Sequence, residues 1–128
     1  MALQQSEIYF GPSDKHGRGV FAARHIEPGE IIEICPVLVF PKAQLPHVRQ
    51  TVLEDYYFDW GNEGDFFAVA LGYGSLYNHD YDANADYDMD FDAETIDVVC
   101  IRDIQPGEEI TINYNGFPGD RSKVWFEK

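Results

Sequence analysis

Arg102-Asp103-Ile104-Gln105-Pro106-Gly107-Glu108-Glu109-Ile110-Thr111-Ile112-Asn113-Tyr114 is the stretch that decides the fold. It reads as a strand, a Pro-Gly turn and a second strand, Glu109 to Tyr114, that ends on a tyrosine. Proline presets φ at the second turn position and glycine supplies a positive φ at the third, which is a type II turn. The same phrase occurs earlier as Arg24-His25-Ile26-Glu27-Pro28-Gly29-Glu30-Ile31-Ile32. Two copies this far apart are too few for a solenoid. They read as two similar hairpins in one sheet-rich domain.

Working outward, Val20 to Ala23, Ile31 to Ile34, Val37 to Phe40 and Ile96 to Ile101 are further β-branched or aromatic runs. Asp86 to Asp92 alternates acid with large apolar groups, the period of a strand with one wet face. Only Pro46 to Phe58 shows near-helical spacing, through Val48, Val52, Leu53 and Tyr56, and Gly61 to Asp65 reads as a loop. The 128 residues fit one domain. The 23 acidic and 9 basic residues leave a formal charge of −14, which disfavours nucleic acid as a direct ligand and suits a cationic partner. No apolar run approaches the roughly 20 residues that cross a bilayer, and Met1 to Phe10 has no secretory pattern. Cys35 and Cys100 lie in apolar runs and read as buried thiols in an intracellular protein, without zinc spacing.

Three constellations could carry chemistry. Lys15-His16-Gly17-Arg18-Gly19-Val20-Phe21 places two glycines around one residue, which lets backbone approach a ligand or simply turns the chain. A strand follows it, so it is not a dinucleotide fingerprint. Ala70-Leu71-Gly72-Tyr73-Gly74-Ser75-Leu76-Tyr77-Asn78-His79 leads apolar residues into an Asn-His pair. An asparagine both donates and accepts, which suits a ligand carrying ammonium and carboxylate; it equally suits a turn. Asp80, Asp82 and Asn84 faintly suggest a calcium loop, but Ala85 stands where the turn glycine belongs and Phe91 where a closing glutamate belongs. No metal site is expected. Third, the hydroxyl of Tyr114 could orient a reacting group or merely satisfy itself in the core.

In order and spacing these motifs resemble the SET domain. They are Gly-x-Gly-Val-Phe-Ala, Ile-x-Pro-Gly-Glu, Tyr-Asn-His with Asn84, and the closing Arg102 to Tyr114 phrase. The match runs from about residue 10 to 114, within a single domain spanning 1–128 whose residues 115–128 form a closing segment. Leu53-Glu54-Asp55-Tyr56 and the Ala70-Leu71-Gly72-aromatic-Gly74 lead-in are closest in look to the minimal SET proteins of large algal viruses. The resemblance implies a mostly-β fold of several small sheets, few short helices and a pseudoknot-like C-terminal crossing that brings Asn78-His79 beside Tyr114.

It also implies an S-adenosylmethionine-dependent protein-lysine methyltransferase acting on a basic protein such as a histone. Gly17, Arg18, Gly19, Asn78, His79 and Tyr114 would bind the cofactor, with Tyr114 as the catalytic residue. Tyr56, Tyr73 and Phe117 would line the lysine channel. The viral members imply a homodimer. Departures from the family pattern are Asp80-Tyr81-Asp82-Ala83 after Asn-His, Arg18 at an often aromatic position, Ile112 two before Tyr114, and no cysteine-rich zinc segment. Trp125 and Phe126 are candidates to close the cofactor site. The acidic stretch from Asp80 to Asp97 keeps a second reading open, a SET-fold module that binds a basic partner with little turnover.

Overall fold

The computed structural model describes residues 7–115, so Phe117, Trp125, Phe126 and most of the closing segment lie outside the described residues. The two Pro-Gly phrases form as turns. Gly29 and Gly107 take φ of +92° and +85°. Glu30 N–H closes on Glu27 O at 3.1 Å and Glu108 N–H on Gln105 O at 3.0 Å. The two turns also meet: Ile26 and Ile104 exchange backbone hydrogen bonds of 2.9 and 3.0 Å and are buried. The internal echo is thus a pair of matched turns joined to each other and not the two hairpins the sequence suggests, because the strands after them pair elsewhere, Ile31–Pro41 with Thr95–Cys100 and Phe66–Ala70, and Glu109–Ile112 with Arg18–Ala22 and Asn78–His79.

In chain order the strands are β1 (Ile8–Pro12), β2 (Arg18–Ala22), β3 (Ile31–Pro41), β4 (Tyr57–Asp59), β5 (Phe66–Ala70), β6 (Asn78–His79), β7 (Ala85–Asp90), β8 (Thr95–Cys100) and β9 (Glu109–Ile112). One sheet runs β1-β2-β9-β6 and the other β4-β5-β3-β8-β7. The fold is mostly β with few short helices, as the sequence predicts. All pairings are antiparallel except β6 with β9, where Asn78 faces Thr111 and His79 faces Ile112. Val20, Ile110, Ile112 and Ile104 from the first sheet side and Ile96 and Val98 from the second fill the space between. Cys35 and Cys100 join this core as free thiols, and burial raises both above the ordinary thiol range.

Two local expectations change. Ile31–Ile34 and Val37–Phe40 are one strand, not two, because β3 changes partners at Pro36. Residues up to Pro36 pair with β8, and Val37 onward pairs with β5. Proline has no N–H to give a ladder, so it is tolerated where the ladder hands over. The expected helix over Pro46–Phe58 is broken into α1 (Leu45–Val48), a 3₁₀ turn Val52–Asp55 and β4. Thr51 ends the first piece by donating from Oγ1 to Val48 O at 2.7 Å. It starts the second by accepting from Leu53 N–H at 3.2 Å. Val52 is 76% exposed, so the apolar spacing had no core to face.

Candidate active site

The loop from Ser13 to Gly17 closes on itself through Ser13 N–H to Gly17 O at 2.9 Å, and Gly17 takes φ of +51°. Asn78, buried at the start of β6, clamps this loop. Its Nδ2 lies 3.1 Å from His16 O, 3.1 Å from Arg18 O and 2.8 Å from Glu109 Oε2. Three acceptors around one atom require it to be the amide nitrogen. Glu109 accepts from Ser13 Oγ at 2.7 Å with its other oxygen. Gly19 makes the convergence feasible, since a Cβ there would stand 2.2 Å from Glu109 Oε2 and 3.0 Å from Asn78 Nδ2. The donor side of Asn78 is therefore committed to the chain itself.

Buried Asn84 stands in for a neighbouring strand. Its Nδ2 donates to Glu109 O and its Oδ1 accepts from Thr111 N–H, both at 2.8 Å. This completes the ladder of β9 and delivers Tyr114 beside β6. There Tyr114 N–H donates to His79 Nδ1 at 3.0 Å, and Tyr114 Oη donates to Tyr77 O at 2.8 Å. Burial, followed by the nearby Tyr56 and Glu109, pushes the Tyr114 phenol up to about 12. The Tyr77 hydroxyl in turn donates to Glu33 Oε1 at 2.7 Å, and Tyr73 N–H donates to Glu33 Oε2 at 3.0 Å. Burial first, then the Glu33 charge, drives the Tyr77 phenol well above the ordinary range. Glu33 points inward because it shares the face of Cys35 and Val37 in the two-residue alternation of β3, opposite buried Val98.

Two cavities flank Tyr114. The first, about 710 Å³, is lined by Lys15 to Arg18 on one side and Asn78 to Tyr81 on the other. The second, about 870 Å³, is lined by Tyr57, Phe58, Tyr87 and Met89, with Glu54 and Asp59 near them and Arg49 the basic member. Asp55, Tyr56, Ser75 and Tyr114 line both, so they form the common wall. Ser75 Oγ ties that wall together, lying 2.9 Å from Tyr56 O and 3.0 Å from Ala70 O. Lys15 Nζ and Asp80 Oδ2 are 2.7 Å apart in the first cavity. Burial opposes ionisation of Asp80, but the hydrogen bonds from Lys15 and the Asp82 backbone, with the charges of Lys15 and Arg102, hold it below its ordinary value.

Of the residues singled out from sequence, Gly17, Arg18, Asn78, His79, Tyr114 and Tyr56 converge on these cavities. Gly19 stands behind the loop, and Arg18 lies 5.6 Å over the Phe10 ring. Tyr73, expected in the channel wall, lines neither cavity. Its ring packs edge-on to Phe10 at 5.6 Å because Glu33 holds its backbone from the other side. Tyr87 occupies the wall instead, edge-on to Phe58 at 5.4 Å. The two-residue alternation of β7 marked Tyr87 as inward-facing, but nothing local marked what it faces. Glu33 and Glu109 were equally unmarked, because single acids in so acidic a chain carry no signal.

The SET domain family model matches residues 17–115. A histone-lysine N-methyltransferase of Schizosaccharomyces pombe, specific for H3 lysine-37, is 36% identical over 126 residues, covering 96% of this chain and 79% of that protein. A crystal structure of a Plasmodium falciparum protein, described as a candidate histone methyltransferase, superposes with a TM-score of 0.72 at 30% identity. The match covers 97% of this chain and 100% of that one. A chain of the Chaetomium thermophilum Polycomb Repressive Complex 2, in an autoinhibited conformation bound to S-adenosylmethionine, gives 0.74 at 23% identity. It covers 90% of this chain and 16% of the other, and shows the fold alone.

Proposed function

The chain belongs to the SET domain family, and on that premise we propose that it is an S-adenosylmethionine-dependent protein-lysine N-methyltransferase acting on a histone or similarly basic chromatin protein. The observation that carries this is the position of Tyr114 in the wall common to two cavities. One cavity suits a cofactor and the other a lysine side chain, and the reacting atoms would meet where the two adjoin.

The first cavity fits the cofactor on its own terms. Its volume of about 710 Å³ lies within the roughly 300–1,000 Å³ of small-molecule sites. The clamped loop offers close backbone at Gly17, His79 and Tyr81 offer aromatic faces, and Asp55 offers negative charge to a cationic ligand beside the Lys15–Asp80 pair. Residues Lys15 to Arg18, Asn78 and His79 would hold it, with Asn78 acting through the loop that it clamps. Bound there, S-adenosylmethionine supplies a methyl group activated by a positive sulfonium.

The chain's own residues have two tasks. One is to deliver the amine neutral. A free lysine has a pKa of about 10.4; Tyr87, Phe58 and Met89 in the second cavity disfavour its charged form by desolvation, against the pull of the carboxylates that line the same cavity. The amine releases its proton to solvent before entering. The other task is alignment, because in-line displacement needs little beyond position. The Tyr114 hydroxyl has its hydrogen fixed on Tyr77 O, so only its lone pairs can face a ligand. With its phenol pushed up to about 12 it is a neutral acceptor and no base. Glu54, Asp55 and Asp59 give the second cavity a field that draws lysine-rich chains.

Within this proposal the chain has the organisation of the minimal viral SET proteins, supported by the shared Leu53-Glu54-Asp55-Tyr56 run. A histone substrate makes it an intracellular protein, nuclear where the host has a nucleus. Sedimentation equilibrium tests the homodimer: twice the chain mass bears it out and a single chain mass removes it. The function itself is tested by calorimetry with S-adenosylmethionine in the presence of chelator, then labelled-methyl transfer to histone H3. Heat of binding and label on lysine are expected. The absence of both heat and label rejects the proposal, and binding without transfer leaves the binding-module reading.

A further inference from the structure

The five-stranded sheet turns one face to the core, while on the other Ile31, Ile34 and Leu38 stand 61%, 57% and 60% exposed. Directly paired residues share a face, so the register maps that surface. Along the edge strand β7, Asp86, Asp88 and Asp90 form an acidic column. Asp97 on β8 lies between Asp88 and Ile34, so the acidic column borders the apolar one on β3. Asp88 and Asp97 face each other directly. Like charges in that position destabilise a sheet, and a cation from outside relieves them. At the other end Leu38 pairs with Val69 and Val69 with Tyr57, which lines the second cavity. The surface is thus continuous with the site assigned to the lysine.

A second copy of this chain is a poor occupant of this face, since its own aspartate column would be brought against the first. Charge complementarity selects a basic segment with an apolar residue among its lysines or arginines. Resting on the methyltransferase reading, we propose that this outer face docks a second segment of the basic substrate protein. Cationic side chains run along the aspartate column and an apolar side chain covers Ile34 and Leu38, while the target lysine enters the second cavity. Recognition then extends well beyond the residues flanking that lysine.

The test is binding of the full chain to a refolded H3–H4 complex at physiological salt, read by calorimetry, so that it does not depend on turnover. Two variants address the face separately: Ile34→Thr with Leu38→Thr, and Asp88→Asn with Asp90→Asn. The second leaves the fold independent of the first, because Asn keeps the oxygen that Asp90 offers to the Asp92 and Ala93 amides. A control, Glu27→Gln with Asp103→Asn, removes two exposed acids elsewhere. Each face variant is expected to raise Kd roughly tenfold, as truncation of interface anchors does, with the control and the KM for a short H3 tail peptide unchanged. Wild-type affinity in the Asp variant overturns the proposal, as does an equal loss in the control. So does a wild-type dimer that the variants dissolve without loss of H3–H4 binding. A wild-type protein that binds through this face but transfers no methyl group rejects the enzyme reading and leaves the docking face standing.

Discussion

Tyr114 and His79 are joined backbone to ring: the Tyr114 amide donates to His79 Nδ1 at 3.0 Å. Because Nδ1 accepts, a neutral ring carries its proton on Nε2. The bond links the parallel strands β6 and β9 where they deliver the site, with the two rings 5.2 Å apart. His79→Phe keeps a ring of similar size and removes the acceptor. Stranding a half-buried amide costs on the order of 1 kcal/mol, so the urea midpoint should fall accordingly. Turnover should fall with it, since Tyr114 loses an anchor. An unchanged midpoint would show that the amide finds another partner.

Gly19→Ala tests the clamp. Its Cβ would enter the space of Glu109 Oε2 at 2.2 Å, so the carboxylate must leave Asn78 or the loop must move. The cofactor affinity should fall about tenfold, the effect of misplacing one hydrogen-bonded element. Gly11→Ala is the matched control in the neighbouring strand, with nothing within 4 Å of its Cβ. Calorimetry on both variants decides. If both bind as the wild type does, the clamp has no part in the cofactor site.

Buried phenols set the alkaline limit. Tyr114 and Tyr87 are both pushed up to about 12, each first by burial, and then Tyr114 by Tyr56 and Glu109 and Tyr87 by Asp86 and Asp59. Between the ordinary tyrosine value of about 10 and these values, the unfolded chain loses protons that the folded chain keeps. Stability therefore falls as pH rises through that window, by on the order of 2–3 kcal/mol per tyrosine when complete. Denaturation midpoints between pH 8 and 12 should be flat at first and then drop. A phenolate absorbance near pH 10 in the still-folded protein that Tyr114→Phe or Tyr87→Phe removes would contradict the burial of that residue.

The Pro-Gly phrases were legible because their turns depend on local φ, and the Asn78-His79 and Tyr114 motifs because the family fixes where they meet. What stayed hidden depends on distant chain. Pro36 looked like a break between strands, yet the handover from β8 to β5 makes it tolerable. Tyr73 and Tyr87 are both large aromatics with one wet side, and partners far along the chain separate them: Glu33 and Phe10 for Tyr73, Phe58 for Tyr87, which lines the cavity. The helix over Pro46–Phe58 failed because spacing alone does not reveal whether a face has anything to pack against.

Tyr114→Phe separates alignment from packing. The ring stays and the hydroxyl that donates to Tyr77 O is lost, so stability should drop by only about 1 kcal/mol. If the oxygen lone pairs align amine and methyl, kcat and kcat/KM should fall together, whereas loss of uniform binding would raise KM alone. The expected loss is on the order of a hundredfold, that of one well-placed polar group in a water-poor site. Because the phenol stays protonated to about pH 12, the pH–rate profile of the wild type should carry no tyrosine limb below pH 10. The variant should then keep the same profile at lower amplitude. Steady-state methylation of histone H3 from pH 7 to 10, with circular dichroism to confirm folding, reads both quantities. A folded variant with nearly full kcat would reduce Tyr114 to a core residue and raise the binding-module reading above the enzyme.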